Sequence, residues 1–440
     1  MPIVLANFSS SHDFHEHIPG FEGMASGVKN HKVLVAVTRR PLTKALTKII
    51  EPVVQESNHA LLTNLGKTSS TYIIPHDEQC CLSNSTDLAN AAGAEWKALN
   101  LKETMMDVIA RVSSRVFLGE DLCRNEEWLH ITKTYAVAVF REASKMNIVP
   151  WVLRPLVHWF IPGVQELRDY MTKARSLITP LVEKRRQLKA EAAARGEPVP
   201  RFDDCIEWAD EETNGELYDP VLVQLGMSVA AIDTTTDLLS RVVLDLASRP
   251  ELVEELRAEV TSVLRADGWK KTALYNMRLM DSAIKESQRL KPLMSVTMRR
   301  LVMAPLKLSN GVEFRPGDRL EVDSWGSMLD PAIHEDPKTY DPRRFLRWRE
   351  TPGLEARSHL VSTSTEHMAF GYGEHACPGR FFAANEIKII ISHLLLQYDW
   401  KLAPGTDTMP VAHGFALHSN AATQVLFRRR PNPEFDISLV

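Results

Sequence analysis

The sequence predicts a mostly α-helical protein with small β-sheets, and three patterns support that fold class. Apolar residues recur every three or four positions through most of the chain up to residue 290, which is typical of amphipathic helices. Between 297 and 322 the period shortens to two, which is typical of short strands. A glycine-rich loop near residue 375 is then followed by an apolar run over 381–396 that predicts one more helix.

The predicted helices follow one another with one clear break. They are expected at 32–56, 101–118, 126–146, 164–194, 220–246, 251–266 and around 283–290. The sequence Gly-Glu-Pro-Val-Pro at 196–200 interrupts the helical pattern. Because helices resume on both sides without a shift in composition, we interpret it as a surface loop within a single domain over 1–440. Residues 1–30 are polar, and we expect them to be irregular.

Short strands are expected where polar and apolar residues alternate, at 297–302, 306–308, 312–314 and 319–322. Asn310-Gly311 separates the second strand from the third and is a strong hairpin signal. These lengths predict small sheets beside the helices.

Bulk properties exclude several classes of protein. The net charge of −4 gives no indication of nucleic-acid binding. The five cysteines are too few and too irregularly spaced for a disulfide framework or a zinc site, and they suit a reducing compartment. No run of about eighteen apolar residues occurs, so we expect no membrane span in this chain.

A single cysteine, Cys377, lies in a glycine-rich loop directly before the last predicted helix. The loop reads Phe-Gly-Tyr-Gly-Glu-His-Ala-Cys-Pro-Gly-Arg over 370–380. Amides and the dipole at a helix N-terminus favour negative charge, so we expect a lowered pKa for the Cys377 thiol. Gly373 and Gly379 permit a tight turn, and Phe370 supplies a flat apolar surface. A lone cysteine is more often a buried apolar residue, but Phe-x-x-Gly-x-x-x-Cys-x-Gly is a specific pattern.

Polar residues interrupt the predicted helix 220–246 at its centre. The sequence Ala-Ala-Ile-Asp-Thr-Thr-Thr-Asp at 230–237 places two carboxylates and three threonines in an apolar rod. A threonine hydroxyl can bond back to a helix carbonyl, so a kink or a polar face explains the pattern about equally well. The functional alternative is an acid–alcohol pair, Asp233 and Thr234, that handles protons beside a cofactor.

Glu286 and Arg289 are three residues apart on a predicted helix, so both project from one face. An exposed pair of this kind is common and contributes little to stability. A further arginine, Arg344, follows in Tyr-Asp-Pro-Arg-Arg-Phe at 340–345. The order Glu-x-x-Arg, then Pro-x-Arg-Phe, then the cysteine loop is far more specific than any of its parts.

Together these patterns resemble the cytochromes P450, the heme-thiolate monooxygenases, over nearly all of the chain. The resemblance implies heme b as the cofactor, with Cys377 as the axial thiolate ligand of the iron. It implies that Asp233 and Thr234 deliver protons. It also implies a buried structural triad that supports the cysteine loop, formed by Glu286, Arg289 and Arg344.

The resemblance assigns further residues around the heme. Phe370, Gly373 and Gly379 belong to the heme-binding loop, while Arg299 and His375 are expected to contact heme propionates. His375 stands where many relatives have arginine. The helix near residue 32 also lacks the Trp-x-x-x-Arg that many relatives use for a propionate. Candidate substitutes are His31, Lys32 and Arg39.

The resemblance also implies where an apolar substrate binds. The residues expected to line this pocket are Ala230, Leu293, Val296 and Phe415. In the central helix Ala231 stands where the family pattern has glycine, which affects the width of the oxygen-binding groove.

Family members of the endoplasmic reticulum carry a membrane anchor, a first helix and first strands that this chain is expected to lack. We therefore expect only peripheral membrane contact in this form. A longer form with an anchor is expected on the cytoplasmic face of the endoplasmic reticulum.

The resemblance implies insertion of one oxygen atom of O2 into an apolar small molecule. Asp-Thr-Thr-Thr-Asp and Cys-Pro-Gly-Arg-Phe-Phe-Ala are similar to motifs of fungal enzymes of secondary metabolism, such as ent-kaurene oxidases. Terpenoid, indole-terpenoid or polyketide skeletons are therefore the expected substrates. Electrons are expected from NADPH-cytochrome P450 reductase. Its docking on the cysteine side would use the positive charges of Arg343, Arg347, Arg349 and Arg380.

Three alternatives remain open from the sequence. A heme-thiolate isomerase or dehydratase would not use O2, and it would not need Asp233 and Thr234. A heme carrier, a sensor or a truncated non-catalytic heme protein would bind heme without forming product. A cysteine hydrolase is disfavoured, because the residues before Cys377 offer no arrangement that would orient a base.

Overall fold

The computed structural model describes residues 5–7, 21, 27–66 and 96–431, and it confirms a mostly α-helical fold with small sheets. The helices are α1 Gly27–Val37, α2 Thr43–Gly66, α3 Leu101–Leu118, α4 Glu126–Ile148, α5 Arg154–Val157, α6 Pro162–Ala194, α7 Cys205–Thr213, α8 Pro220–Ala247, α9 Pro250–Asp267, α10 Lys271–Asn276, α11 Arg278–Leu290, α12 Ser324–Met328, α13 Arg344–Glu350, α14 Glu355–Ser358 and α15 Arg380–Gln397. A π-helical turn, Thr38–Leu42, joins α1 to α2 and contains Pro41.

The strands are β1 Leu5–Asn7, β2 Lys97–Asn100, β3 Val296–Val302, β4 Leu306–Lys307, β5 Glu313–Phe314, β6 Arg319–Asp323, β7 Tyr398–Leu402, β8 Val411–His413, β9 Ala416–His418 and β10 Gln424–Arg429. They form sheets in the orders β1-β3-β6 and β2-β10-β7, with two hairpins, β4-β5 and β8-β9. Strand β1 lies within residues 1–30, which the sequence predicts to be irregular. It pairs antiparallel with β3. Isolated three-residue strands carry too little periodicity to stand out from sequence.

Helix α8 is the centre of the molecule. It begins where Asp219 accepts a hydrogen bond from the Val221 amide (2.9 Å) and where Pro220 occupies the first turn. From Val221 to Leu246 it is buried along most of its length, and it packs against α3, α4, α6, α11 and α15. Most of the buried apolar side chains of the described residues form one contiguous cluster that includes it.

The helices of the described residues do not include a membrane span: each of them is too short or too polar to cross a bilayer.

Candidate active site at the cysteine loop

Backbone hydrogen bonds fold the cysteine loop back on itself. The Cys377 amide donates to the Phe370 carbonyl (2.7 Å), and the Ala376 amide donates to the Gly373 carbonyl (3.1 Å). Gly373 has φ +73°, a left-handed conformation that a residue with a side chain adopts only with strain. The chain then enters α15 directly after Gly379. The loop thus places Cys377, a partly exposed residue, at the start of a helix.

The pKa of the Cys377 thiol is shifted in the direction opposite to the one expected from the sequence. Its pKa is raised, because burial outweighs the opposing effects of the Gly379 and Arg380 amides and of the Arg380 charge. The expectation that the helix N-terminus would lower the pKa is therefore wrong for the protein without a ligand. Both amides point at the sulfur, and metal coordination deprotonates a thiol outright. The loop therefore suits a cysteine that becomes a thiolate when it binds a metal.

Two arginine side chains bind backbone carbonyls in the second half of this loop. Arg380 donates to the carbonyls of Cys377 (2.7 Å) and Val361 (3.0 Å). Arg39, from the π-helical turn, donates to the carbonyl of Glu374. Of the three candidate substitutes for a propionate ligand, Arg39 contacts the loop through this hydrogen bond.

Thr38 joins the cysteine loop to the central helix. Its hydroxyl lies 3.6 Å from the Met227 sulfur in α8. Its methyl lies 3.6 Å from the point that a Cβ on Gly379 would occupy. The start of α15 and the middle of α8 therefore adjoin one side chain of the π-helical turn.

Helix α8 is open to its surroundings where the polar interruption begins. Ala230 is exposed, Ala231 and Thr234 are partly exposed, and Thr235 and Thr236 are buried. The Thr234 hydroxyl donates to the Ala230 carbonyl (2.7 Å). Its proton is thus turned along the helix, and its lone pairs remain able to accept a hydrogen bond.

Asp233 points to the N-terminus of α3 and to the β8-β9 hairpin. Its carboxylate lies 3.4 Å from the Lys102 ammonium and 4.0 Å from the His418 imidazole. Neither partner stands out in the sequence, because each is more than a hundred positions away and neither lies in a motif.

The predicted triad residues lie together in a buried site. Glu286 and Arg289 are fully buried, and Arg289 donates two hydrogen bonds of 2.8 Å to the two carboxylate oxygens. Arg344 donates to the same oxygens at 3.2 Å, and the Asp341 amide adds a bond of 3.1 Å. Arg289 also donates to the carbonyls of Met328 and Pro337, both at 2.7 Å.

A lysine beside this triad was not anticipated from the sequence. Lys285 is fully buried and donates to the carbonyls of Arg357 (2.8 Å), His359 (2.7 Å) and Ser362 (3.3 Å). Burial lowers its pKa to about 7. Helix α11 therefore holds the segment that leads into the cysteine loop as well as the triad.

The strand β3 is distorted where it passes the loop. Its register with β6 shifts between Thr297 and Arg300, and Met298 has φ +55°. The Met298 sulfur accepts a hydrogen bond from the Tyr372 amide (3.3 Å). Arg299, next in the chain, pairs with Glu321 at 3.0 Å. Such a bulge re-aims side chains beside functional sites.

The predicted pocket residues come from α8, β3 and the β8-β9 hairpin. Phe415 at the hairpin tip is 50% exposed, and its carbonyl accepts a hydrogen bond from the Ser295 amide (2.8 Å). The Leu417 amide donates to the Leu293 carbonyl (2.8 Å), while Val296 pairs with Asp323 in β6. Backbone bonds thus fix the hairpin against the chain on both sides of Met294.

Two of the four arginines expected at a docking surface have intramolecular roles. Arg349 is 11% exposed and pairs with Asp281 at 2.6 Å, and Arg380 binds loop carbonyls. Arg343 and Arg347 are about half exposed, and each pairs with a carboxylate. The expectation for Arg349 is therefore wrong, because its guanidinium is buried against Asp281. Arg380 is partly exposed, and for it the expectation stays a prediction.

Comparisons with known proteins identify the family of this chain. The sequence model of the cytochrome P450 family matches residues 28–425. Cytochrome P450 monooxygenase hepE of Aspergillus oryzae is 42% identical, over 96% of this chain and 72% of its own length. Cytochrome P450 monooxygenase 1 of Gibberella fujikuroi is also 42% identical, over 95% of this chain and 89% of its own length. The retinoic acid-bound cyanobacterial CYP120A1 shares the fold with a TM-score of 0.62 at 18% identity, covering 91% of this chain and 79% of its own.

The residues of the site fit the heme that this family binds through a cysteine thiolate. The Cys377 sulfur receives two amide N–H groups, which stabilise the charge of a thiolate ligand. On the buried helix α8, Ala230 and Thr234 leave a small-residue opening one turn beyond Met227. With the family match over most of its length, the chain belongs to the cytochrome P450 family and is a heme-dependent monooxygenase.

Proposed function

We propose that the protein inserts one oxygen atom of O2 into an apolar secondary-metabolite substrate of terpenoid, indole-terpenoid or polyketide type. The electrons come from an NADPH-cytochrome P450 reductase. The heme, bound through Cys377, supplies the activation of dioxygen. The residues of this chain orient the substrate and control water and protons around the heme.

The observation that carries this proposal is the opening in α8. Of the three consecutive threonines, Thr234 is the one that reaches it, and Asp233 is adjacent. Because its hydroxyl can both accept and donate hydrogen bonds, Thr234 can hold a proton at Oγ1, and Asp233 can replace that proton. An isomerase or a heme carrier would have no use for such a pair.

Around the heme, the cysteine loop supplies Phe370, Gly373 and Gly379, and we assign propionate contacts to His375 and Arg299. Arg299 follows Met298, whose sulfur contacts the loop, and its guanidinium pairs with Glu321. The triad of Glu286, Arg289 and Arg344 is proposed to support the loop structurally. Its hydrogen bonds to backbone carbonyls of the preceding segment support that role.

The pocket is proposed to lie between α8 and the β8-β9 hairpin, lined by Ala230, Leu293, Val296 and Phe415.

We propose that residues 1–440 form one domain. The contiguous apolar cluster, whose members run from Phe21 to Phe427, supports this.

An exposed apolar surface supports peripheral membrane contact. Ile148, Leu156, Trp159 and Phe160 are between 60% and 85% exposed, and they lie in or near the connection between α4 and α6. Clustered exposed apolar side chains mark interaction surfaces. For a longer, anchored form we propose the cytoplasmic face of the endoplasmic reticulum.

The ratio of product formed to NADPH consumed, measured together with hydrogen peroxide, tests the proposal. A panel of terpenoids, indole-terpenoids and polyketides is first screened for binding. The compound that shifts the heme Soret band most is then used as the substrate in the assay. Thr234→Ala should lower product formed per NADPH about tenfold and release hydrogen peroxide, because the step loses its proton donor. Thr235→Ala, which changes a buried neighbour, is the matched control. Unchanged coupling in Thr234→Ala would refute the assignment.

A further inference from the structure

A charged cluster surrounds the outer side of Asp233. Lys102 Nζ lies 3.4 Å from Asp233 Oδ1, and His418 Nδ1 lies 4.0 Å from Asp233 Oδ2. His418 Nδ1 is buried and makes no hydrogen bond within the described residues, although the side chain is 30% exposed. Its exposure therefore comes from the rest of the side chain. A shift of about 1 Å would bring Nδ1 within hydrogen-bonding distance of Asp233.

The second acid of the cluster is already satisfied. Asp237 is fully buried, pairs with Arg241 and accepts a hydrogen bond from the Ser419 amide (2.6 Å). Lys102 Nζ lies 3.9 Å from it. Arg241 in turn donates to the Leu417 carbonyl of the hairpin. Because these contacts fix Asp237, Asp233 is the carboxylate of the cluster that can exchange a proton.

On the far side of His418 the hairpin leads to solvent. The ring of His413 is exposed, and its centroid lies 6.1 Å from that of His418. In the β8-β9 pairing His413 is opposite Ala416, so both histidines lie on the two strands that close the cluster. A second, exposed imidazole thus lies next to His418 on the same hairpin.

We propose that His418 reprotonates Asp233 from solvent and that the β8-β9 hairpin is the proton path to the opening in α8. This rests on the proposed role of Asp233 and Thr234. His418 acts on the reaction only through Asp233, by passing a proton to its carboxylate, and is therefore a positioning residue. The ring takes a proton from solvent at Nε2, and the imidazolium gives its Nδ1 proton to Asp233. Neutral imidazole and a neutral carboxylic acid result, and one solvent proton has moved inward.

The electrostatics of the cluster suit a transient imidazolium. Burial lowers the pKa of His418 below its usual value, while Asp233 and Asp237 raise it and Lys102 and Arg241 lower it. The neutral ring is therefore favoured at rest, and the ring releases a proton that it has gained. As the pH rises above this pKa the imidazolium fraction falls, so proton supply through His418 should fall with it.

Histidine NMR on the full chain with heme tests the contact without using activity. The His418 signal is identified as the one absent from both His418→Gln and His418→Asn. Asp233→Asn removes the carboxylate that raises the pKa of His418, so that pKa should drop by about 1. An unchanged pKa would overturn the proposal, whatever the effect of His418→Gln on turnover.

The second arm of the test measures the rate of product formation. Its substrate is the panel compound that shifts the Soret band most. His418→Gln should lower the rate about tenfold and remove the decline of rate at rising pH. His359→Gln is the matched control, since that partly exposed ring stacks on Tyr275. If Asp233→Asn slows turnover and His418→Gln does not, only the relay is overturned. If Asp233→Asn has no effect, the proton-delivery role falls with it.

Discussion

Replacing Glu286 with glutamine tests the support of the cysteine loop. The carboxylate is fully buried and is shared by Arg289, Arg344 and the Asp341 amide. Glutamine preserves the shape of the side chain but carries no charge, and its NH2 group faces guanidinium donors. The change therefore leaves two buried cations without the carboxylate that they share.

The expected loss follows from these contacts. Breaking a buried ion pair costs about 3–5 kcal/mol, against a total stability of roughly 5–15 kcal/mol for a typical domain. Both arginines keep carbonyl acceptors, such as Met328 for Arg289 and Thr339 for Arg344, so we expect the lower end of that range. A loss of about 3 kcal/mol lowers the ratio of folded to unfolded protein about a hundredfold.

Urea unfolding followed by far-UV circular dichroism measures this loss, and the Soret band measures heme content. Glu255→Gln is the matched control: this glutamate pairs with Arg343, and both side chains are about half exposed. Exposed pairs contribute about 0–1 kcal/mol, so the control should unfold near the wild-type urea concentration. If Glu286→Gln unfolds there too and binds heme in full, the reasoning about the triad is wrong.

Three further predictions follow. Cys377→His should remove the long-wavelength Soret band of the reduced carbon monoxide complex, whereas Cys205→Ser, at a buried cysteine, should keep it; a retained band in Cys377→His refutes the ligand. Gly373→Ala should lower the free energy of unfolding by roughly 1–2 kcal/mol because of its φ of +73°, and Gly66→Ala, at a helical glycine, should not; thermal unfolding measures both. Burial raises the pKa of Glu386 to about 8, so the native state keeps a proton that the unfolded chain loses near its ordinary pKa. Wild-type stability should therefore fall as the pH rises towards about 8, and Glu386→Gln should lose less stability over that interval; equal pH slopes in urea unfolding would contradict this.

The sequence predicted the helices well, because long periodic stretches define them. The central helix was expected at 220–246 and is observed at Pro220–Ala247. Strand β1 was missed, since three residues carry no reliable period. The hairpin predicted from Asn310-Gly311 forms between β4 and β5, where Gly311 has φ +89°.

Within the site, motifs gave the positions of the chemical groups but not their electrostatic surroundings. The helix dipole favours a lowered pKa for Cys377, but burial, which cannot be read from the motif, outweighs it and raises the pKa. The sequence does not show whether an arginine near the loop is exposed, and Arg349 pairs with a buried carboxylate. Lys102 and His418 could not be linked to Asp233, because only the folded backbone brings them together.

The carbonyl contacts of α11 bear on the order in which the protein folds. Arg289 and Lys285 bind backbone oxygens that lie 39 to 77 residues further along the chain. Contacts at such separations form slowly, because loop-closure entropy is lost before the contact contributes anything. We expect the helices to assemble first and the segment before Cys377 to order last. Uptake of the cofactor would then complete folding, and chains that stop short of this step would be helical but colourless.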